Sequence, residues 1–408
     1  MRSPRHWILV LSLFASVLPA ADWPQFLGPT RSNIAGEDEK ALPAEFPSSG
    51  PPVLWEKKLG SGFAGPAAVG GKVIVFHRER NEAVVEALDK ADGKSLWRFA
   101  YPTNYRDSFG FDNGPRATPT VAGGKVFVHG AEGLVHALDL ETGKLLWKVD
   151  TVKAFGSPQG YFGRACAPLV EGGLVIVTPG GGSGRAVVAL DVADGAVKWA
   201  SGDDEASYSS PVMVSDSVLL CWLRNNLTTF NLKDGKVLAS EPFRPAEEAS
   251  VSSAVPVKTD HGWFVTGEYG VGSSLWDIGA DGKLNMTWRE HERVDSHYAT
   301  PVYYKGHVYG YDGRQEMGQA LCCFNTESHQ IDWQSSRQKG GMVLLVKDKV
   351  LTVTENGELW VVNANPKAFE HPGVFQILRS GHRSAPAYSD GMLYARDGEK
   401  LVALRMVK

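Results

Sequence analysis

Arginine, tyrosine and histidine residues recur at nearly fixed distances before a series of repeated prolines. Arg116 and Arg383 stand three residues before Pro119 and Pro386, and an arginine stands four residues before Pro168. The full candidate set comprises Arg116, Arg164, Tyr208, His297, Tyr298, His382 and Arg383. A guanidinium group can bind a carboxylate or phosphate bidentately and can stack on an aromatic ring. These residues are therefore candidate contacts for a small acidic ligand or an acidic partner segment.

The same arginines have a second interpretation, in which each one pairs with a nearby carboxylate and only closes a channel. The carboxylates available for this are Asp107, Asp112, Asp203 and Asp295. The connection over residues 101–114 is rich in Tyr and Phe, so it could serve as a lid or as a partner-binding loop. No spacing of Ser, His and Asp identifies a catalytic triad, so no catalytic residue is assigned and no metal ligand is predicted.

The prolines belong to a repeat of about 40 to 50 residues. Each copy has a Pro, a short apolar run, a tight turn and a second apolar run. Copies begin at Pro66, Pro119, Pro168, Pro211, Pro256, Pro301 and Pro386, and one without Pro begins near Met342. Repetition at this period, with strand-like patterns, predicts the blades of a β-propeller. Because the inner strand of each blade starts at one mouth of the central channel, the residues before each Pro should form a ring there.

The other half of the repeat is Ala-Leu-Asp, a turn ending in Gly, and a Trp eight residues after the Asp. Asp89 to Trp97 and Asp139 to Trp147 keep this spacing, and the copy ending at Trp333 has Ser and His in its turn. Glycine supplies the positive φ that such turns need. We interpret each Trp as a packing wedge between neighbouring blades rather than as a platform for a cofactor.

The two ends of the chain complement each other. The last copy, from Pro386, is one strand short, whereas residues 53–59 resemble a Trp-containing strand without a preceding half-repeat. We therefore predict an all-β fold, a single eight-bladed β-propeller whose last blade is closed by the N-terminal strand. The expected division is a signal peptide over 1–21, an N-terminal segment over 22–52 that leads into the propeller, and the propeller over 53–408.

The N-terminus predicts export. Arg2 and Arg5 precede an apolar run from Trp7 to Leu18, which ends in small residues at Ala20 and Ala21. Such a run is too short to span a bilayer and is typical of a cleavable signal peptide. No cysteine near the cleavage region could carry a lipid anchor. We expect a periplasmic or secreted protein with no transmembrane span.

Composition and cysteine content argue against two classes of protein, those that bind nucleic acid and those built on disulfides. The formal net charge of −4 gives no electrostatic basis for binding nucleic acid. Four cysteines in 408 residues exclude a disulfide-built scaffold. Cys166 and Cys221 are expected to be buried thiols. Cys322 and Cys323 are adjacent in a strand-like run, where neighbouring side chains point to opposite faces, which argues against a bond between them.

The two repeat halves together resemble the quinoprotein-like, or PQQ-like, β-propeller repeat family over about residues 53–408. The segment Asp-Trp-Pro-Gln-Phe-Leu-Gly-Pro over residues 22–29 is similar to the opening of exported members of this family from Planctomycetes and related bacteria. The resemblance implies two subclasses. One comprises dehydrogenases that hold pyrroloquinoline quinone (PQQ) and Ca²⁺ in the central funnel. In some of these an adjacent-cysteine disulfide lies against the quinone, so a Cys322–Cys323 bond remains an alternative. The second subclass comprises non-enzymatic propellers such as the scaffold lipoprotein of the outer-membrane β-barrel assembly machinery.

Two features favour the non-catalytic subclass. Quinoprotein alcohol dehydrogenases are generally much longer, and the Glu, Asn and Asp that hold their Ca²⁺ and the Asp base beside the quinone do not map onto this sequence residue by residue. We expect a monomeric scaffold at the cell envelope that binds a protein or a small acidic ligand, with no assigned cofactor. The alternative is a compact PQQ- and Ca²⁺-dependent alcohol or sugar dehydrogenase, and a further one is a carbohydrate-processing propeller using funnel carboxylates.

Overall fold

The computed structural model describes residues 22–245, 254–291, 293–380 and 383–407. These residues form eight four-stranded antiparallel sheets arranged as the blades of one propeller. Two short helical turns lie between strands, α1 over Thr151–Phe155 and a 3₁₀ turn over Gln315–Met317. The predicted all-β, eight-bladed fold is confirmed. The signal-peptide prediction falls on residues 1–21, which lie outside the described ranges.

Each blade is one repeat, built from β-branched and apolar runs separated by tight turns. The first four blades comprise β2 to β17: Ala67–Val69, Lys72–Glu79, Glu82–Asp89 and Ser95–Pro102; Thr120–Ala122, Lys125–His129, Leu134–Asp139 and Leu145–Asp150; Leu169–Glu171, Leu174–Val177, Val187–Asp191 and Val197–Ser201; Val212–Ser215, Val218–Trp222, Asn226–Asn231 and Val237–Pro242.

The other four blades comprise β18 to β32 together with β1. Their strands, in blade order, are Val257–Thr259, Gly262–Gly267, Gly272–Ile278 and Leu284–Glu290; Val302–Tyr304, His307–Asp312, Ala320–Asn325 and Gln330–Gln334; Gly341–Val346, Lys349–Thr354, Glu358–Asn363 and Gly373–Gln376; Ala387–Ser389, Met392–Arg396, Lys400–Arg405 and, for β1, Val53–Lys58.

The eighth blade joins both ends of the propeller. Strand β1 pairs antiparallel with β32, from Val53 opposite Leu404 to Lys58 opposite Lys400. This pairing gives the eighth blade the fourth strand that its own half-repeats lack, as predicted. It also covers the edge of β32, which would otherwise expose unpaired backbone groups.

The repeated Trp residues pack between blades, as predicted. Trp97 at the end of the first blade donates its indole N–H to the Leu140 carbonyl of the second blade, 2.9 Å away. A Cβ built on Gly143, in the same turn of the second blade, would lie 2.4 Å from the Trp97 ring. The same contact recurs between Trp147 and Gly195. The turn glycine therefore provides both a positive φ and the space for the neighbouring Trp.

The N-terminal segment fills part of the central channel, which the sequence analysis did not anticipate. Trp23 bridges to Ala68 on the inner strand of the first blade. The Arg31 guanidinium donates to the carbonyls of Pro168 and Pro211, just before the inner strands of the third and fourth blades. Further contacts reach Thr300 before the sixth blade and Leu345 in the seventh. A segment that touches the inner strands of so many blades must cross the channel.

The core lies within and between the sheets, and it holds all four cysteines. Cys166, Cys221, Cys322 and Cys323 are buried free thiols, so the expected thiols at Cys166 and Cys221 are present and Cys322 is not bonded to Cys323. Within the described ranges, neither helical turn has the length and hydrophobicity needed to cross a bilayer.

Candidate functional site

A cavity of about 420 Å³ opens at the mouth of the channel where the inner strands begin. We call it the funnel. Its lining includes five Phe, three Tyr, three Arg and one carboxylate: Phe26, Phe63, Phe109, Phe111, Phe162, Tyr208, Tyr269, Tyr298, Arg116, Arg314, Arg383 and Glu316. Phe26 belongs to the N-terminal segment that crosses the channel, so this segment contributes to the funnel wall. The result is an aromatic pocket with a few cationic groups.

Arg116 is held rigidly at one side of the funnel. Its Nη2 lies 3.0 Å from Asp107 Oδ2, and its Nε donates to the Phe162 carbonyl at 2.7 Å. The guanidinium stacks over Phe63 and Phe162, with its carbon 4.9 and 5.5 Å from the two ring centroids. Asp107 has no exposed side-chain surface and accepts backbone N–H groups of its own loop, including that of Phe111 at 2.8 Å. The buried carboxylate thus fixes both the loop and the arginine.

Arg383 is held in a similar way on the side formed by the last blades. Its Nε lies 3.2 Å from Glu355 Oε1, and its guanidinium carbon lies 5.1 and 5.4 Å from the ring centroids of Tyr298 and Phe111. Glu355 also accepts hydrogen bonds from Tyr298 and from Gln315. Burial, followed by the Glu355 charge, raises the pKa of Tyr298 well above its usual range, so this phenol stays protonated.

A third polar group joins His297, Tyr269 and Arg314. The Tyr269 hydroxyl lies 2.8 Å from His297 Nε2, and the Arg314 guanidinium stacks over the Tyr269 ring at 4.5 Å. Burial lowers the pKa of His297 to about 4, so the imidazole is neutral at pH 7. Arg314 Nε in turn lies 3.6 Å from Glu316 Oε2. Charge in this part of the funnel therefore comes from the Arg314–Glu316 pair and not from the histidine.

The structure brings five of the seven predicted residues to the funnel: Arg116, Tyr208, His297, Tyr298 and Arg383. It places Arg164 elsewhere, since this arginine is buried and donates to Ser157 Oγ at 3.0 Å and to the Ser157 and Ala131 carbonyls. Arg164 stands one residue further from its Pro than Arg116 and Arg383 do, and its side chain points into the protein. His382 lies outside the described residues.

The two interpretations of the arginines are compatible at Arg116. It pairs with Asp107, as the second interpretation expected, and it also lines the funnel. Arg383 does the same with Glu355, a residue that the sequence analysis did not consider. In both pairs the arginine is the more exposed partner, so the carboxylate positions a guanidinium that faces the cavity.

Several funnel residues were missed by sequence reasoning because they lie on a different kind of connection. Tyr269 and Arg314 follow the second strand of their blades rather than preceding the first. Because strands alternate in direction, the loop between the second and third strands returns to the mouth at which the inner strand begins. Had the residues that follow the second strand of each blade also been considered, Tyr269, Arg314 and Glu316 would have been among the candidates. Phe26 had no such signal.

The connection over residues 103–114 lies at the funnel rim. Phe109 and Phe111 line the cavity, yet 56% and 58% of their surfaces remain exposed. They pack on Phe162, at 5.2 and 6.1 Å between ring centroids. The loop therefore presents apolar surface both to the cavity and to solvent, which is compatible with either role considered for it.

The funnel does not offer the donor set that PQQ and Ca²⁺ require. Calcium prefers six to eight oxygen ligands, with carboxylates prominent among them. Among the described residues that line the cavity, Glu316 is the only carboxylate, and it lies beside Arg314. The carboxylates of Asp107 and Glu355 are already engaged by arginines and by other donors. No Glu, Asn and Asp converge within the described lining, so these residues do not fit the quinone–calcium pair.

Comparison with known proteins gives matches to both subclasses. The family described as "Outer membrane protein assembly factor BamB" matches residues 80–259. BamB from Yersinia pestis is 25% identical over 349 residues, which are 80% of this chain and 82% of that protein. The dehydrogenase subunit of the quinone alcohol dehydrogenase from Gluconacetobacter polyoxogenes is 32% identical over 157 residues. That match covers 36% of this chain and only 21% of the dehydrogenase subunit.

Solved structures agree on the fold. BamB from Moraxella catarrhalis superposes with a TM-score of 0.65 at 15% identity, covering 86% of this chain and 97% of that one. Quinohemoprotein alcohol dehydrogenase from Comamonas testosteroni superposes with a TM-score of 0.68 at 14% identity, covering 95% and 81%. At such identities the likeness concerns the fold alone. The repeats, the eight blades and these matches together confirm that the chain resembles the quinoprotein-like (PQQ-like) β-propeller repeat family.

Proposed function

We propose that this protein is an exported, non-catalytic, monomeric binding propeller of the cell envelope, whose funnel takes a small aromatic anion. The observation that carries the proposal is that Arg116 and Arg383 both line one cavity while each is stacked on aromatic rings. An aromatic carboxylate would satisfy both features, because its ring can stack on the Phe and Tyr side chains while its charge meets a guanidinium.

The size and polarity of the funnel support a small molecule. Ligand pockets commonly enclose about 300–1,000 Å³ and combine apolar walls with a few polar groups. The funnel, at about 420 Å³, lies in this range. Arg116 and Arg383 are fixed in advance by Asp107 and Glu355, so little side-chain entropy is lost when an anion binds them.

The proposal is tested by titrating the purified protein with benzene-1,4-dicarboxylate and with the neutral benzene-1,4-dicarboxamide, using calorimetry. We expect Arg383→Gln to weaken dicarboxylate binding at least tenfold, because the charged contact is lost and the ring contacts remain. Arg289→Gln is the matched control, since Arg289 stacks over Phe243 at 4.9 Å but does not line the funnel. Equal affinity of the wild type and Arg383→Gln, or equal binding of the neutral amide, would rule out the proposal.

A protein partner is the second candidate, and the exposed rim favours it. Phe109 and Phe111 present apolar surface beside the funnel, and BamB relatives, named as assembly factors, match most of this chain. A partner segment with an acidic or aromatic side chain would then occupy the funnel from outside.

The dehydrogenase alternative rests on the partial sequence matches. Dye reduction by protein supplied with PQQ, Ca²⁺ and an alcohol would support it over the small-ligand and protein-partner proposals.

A further inference from the structure

A second group of ligand-type side chains lies on the sixth blade, at the end remote from the funnel. His307 begins β23, Cys323 lies in β24 and Asp332 lies in β25. Their potential ligand atoms, an imidazole nitrogen, a thiol sulfur and a carboxylate oxygen, all lie within 4.8 Å of one another. None of the three residues lines the funnel, whose mouth is at the opposite end of β23 near Arg314.

Strand register explains how three neighbouring strands bring these side chains together. Cys323 pairs with Tyr309 on one side and with Trp333 on the other, and His307 lies two residues before Tyr309, so His307 and Cys323 share a face. The next pair after Cys323–Trp333 is Phe324–Ile331, which leaves Asp332 unpaired in a β-bulge. A bulge re-aims a side chain, and here it directs the carboxylate toward the histidine.

The contacts of His307 define what its second nitrogen can do. Nδ1 lies 3.0 Å from the Lys305 carbonyl oxygen, which can only accept, so Nδ1 must carry a hydrogen. Nε2 lies 3.0 Å from Asp332 Oδ2, which is also an acceptor when ionised. Two acceptors at this distance need a proton or a metal ion between them. A histidine whose Nδ1 is fixed by a carbonyl is the usual arrangement behind a metal-binding Nε2.

The other blades show that the fold does not require these residue types. Positions equivalent to His307, Cys323 and Asp332, by register, are occupied in the first four blades by Lys72, Ala87 and Leu96; Lys125, Ala137 and Leu146; Leu174, Ala189 and Lys198; and Val218, Thr229 and Leu238. Aliphatic residues, lysine and one threonine serve the blade architecture at these places. The nitrogen, sulfur and oxygen donors of the sixth blade are therefore not explained by packing alone.

We propose that His307, Cys323 and Asp332 bind one Zn²⁺ ion, with water as the fourth ligand. Zinc accepts imidazole, thiolate and carboxylate ligands with bonds of about 2.0–2.3 Å in tetrahedral geometry. Such bonds place ligand atoms roughly 3.3–3.7 Å apart, so side-chain shifts of about 1 Å convert the present arrangement into a site. The side chains of His307 and Asp332 are 15% and 29% exposed, which leaves an open side for water.

Zinc binding replaces protons and hydrogen-bond contacts of the three side chains with bonds to the metal ion. The ion forms bonds to Nε2, Sγ and a carboxylate oxygen, and both the thiol proton and the proton held between Nε2 and Asp332 in the metal-free protein pass to solvent. The Asn325 amide nitrogen lies 3.3 Å from Nε2, so its side chain must move away from Nε2 when the ion binds. Tyr309 and Trp333 pack beside the cluster, with ring centroids 5.9 Å apart, and limit the movement of its side chains.

The site is tested on the full chain after treatment with EDTA, using Co²⁺ as a spectroscopic probe and Zn²⁺ in competition with a chromophoric chelator. We expect one equivalent of Co²⁺ with a thiolate-to-metal charge-transfer band. Cys323→Ala should abolish that band, and His307→Gln should weaken Zn²⁺ binding at least tenfold. Cys323→Ala should fold, because alanine occupies the equivalent position in the first three blades.

Cys322→Ala is the matched control, since Cys322 is a buried neighbour that donates to the Gly310 carbonyl and is outside the cluster. It should keep the full charge-transfer band and Zn²⁺ affinity. Failure of the wild type to bind either ion, or an unchanged band in Cys323→Ala, would overturn the proposal.

Discussion

Buried histidines make the protein sensitive to acid at the level of single residues. Burial lowers the pKa of His129 to about 3 and that of His136 to about 4, both in the second blade. In the unfolded chain these groups take up protons near pH 6.5, whereas in the folded protein they do not. Their contribution to stability is therefore present above about pH 6.5 and is lost as the pH falls toward the folded pKa values.

The variant His129→Phe should reduce this loss. Between about pH 6.5 and the folded pKa, each such imidazole lowers the free energy of unfolding by about 1.4 kcal/mol for every unit by which the pH falls. Phe76 and Trp222 hold the equivalent position in other blades, so an aromatic ring fits there. Urea unfolding at pH 7 and pH 5 should show a smaller pH-dependent loss in the variant. An identical loss in both proteins would mean that His129 does not stay neutral in the fold.

The location of a side chain could be predicted from sequence where its distance from a repeated Pro was constant. Arg116 and Arg383 were found because they stand at one offset from a repeated Pro, and the structure places both in the funnel. Arg164, one residue further out, turns into the interior. The sequence could not show this, because a one-residue shift in a loop changes the direction of a side chain without changing any pattern.

At the scale of elements, the contact between a Trp and the turn glycine of the next blade packs neighbouring blades against each other. Gly143 has a φ of 68° and leaves room for Trp97, whereas Gly124 has a φ of 71° and nothing within 4 Å of a built Cβ. Gly143→Ala and Gly124→Ala therefore impose similar backbone strain, and only the first also clashes with a ring.

We expect Gly143→Ala to lower the free energy of unfolding by about 1–3 kcal/mol more than Gly124→Ala, the usual cost of overpacking a tight site. Chemical denaturation of the two variants and the wild type measures this difference directly. Equal losses in the two variants would show that the blades do not depend on the wedge contact.

The N-terminal segment is the element that sequence reasoning placed least well. It has no alternating apolar pattern, and its partners are distant, since Arg31 contacts Pro168 and Asn33 contacts Thr300. A single sequence carries no local signal for contacts of this range. In contrast, the closing strand β1 was predictable because it repeats the Trp-strand motif that the last blade lacks.

At the scale of the whole molecule, the repeat determines the ring, and the departures from the repeat determine its chemistry. Eight copies of one unit predict eight blades closed on themselves. The funnel arises where loops of unequal sequence meet at one mouth, and the proposed zinc cluster arises where one blade has three potential metal ligands at positions that are mostly aliphatic or lysine in the first four blades. Loop geometry depends on packing between blades, so it was not available from the sequence.

The most direct test of the central claim is a crystal structure of the protein with benzene-1,4-dicarboxylate bound. We predict electron density for the ligand inside the funnel, with a carboxylate within hydrogen-bond distance of the Arg116 or Arg383 guanidinium and its ring against the aromatic wall. An empty funnel in crystals grown at a concentration that saturates binding in solution, or a ligand bound elsewhere on the propeller, would contradict the account.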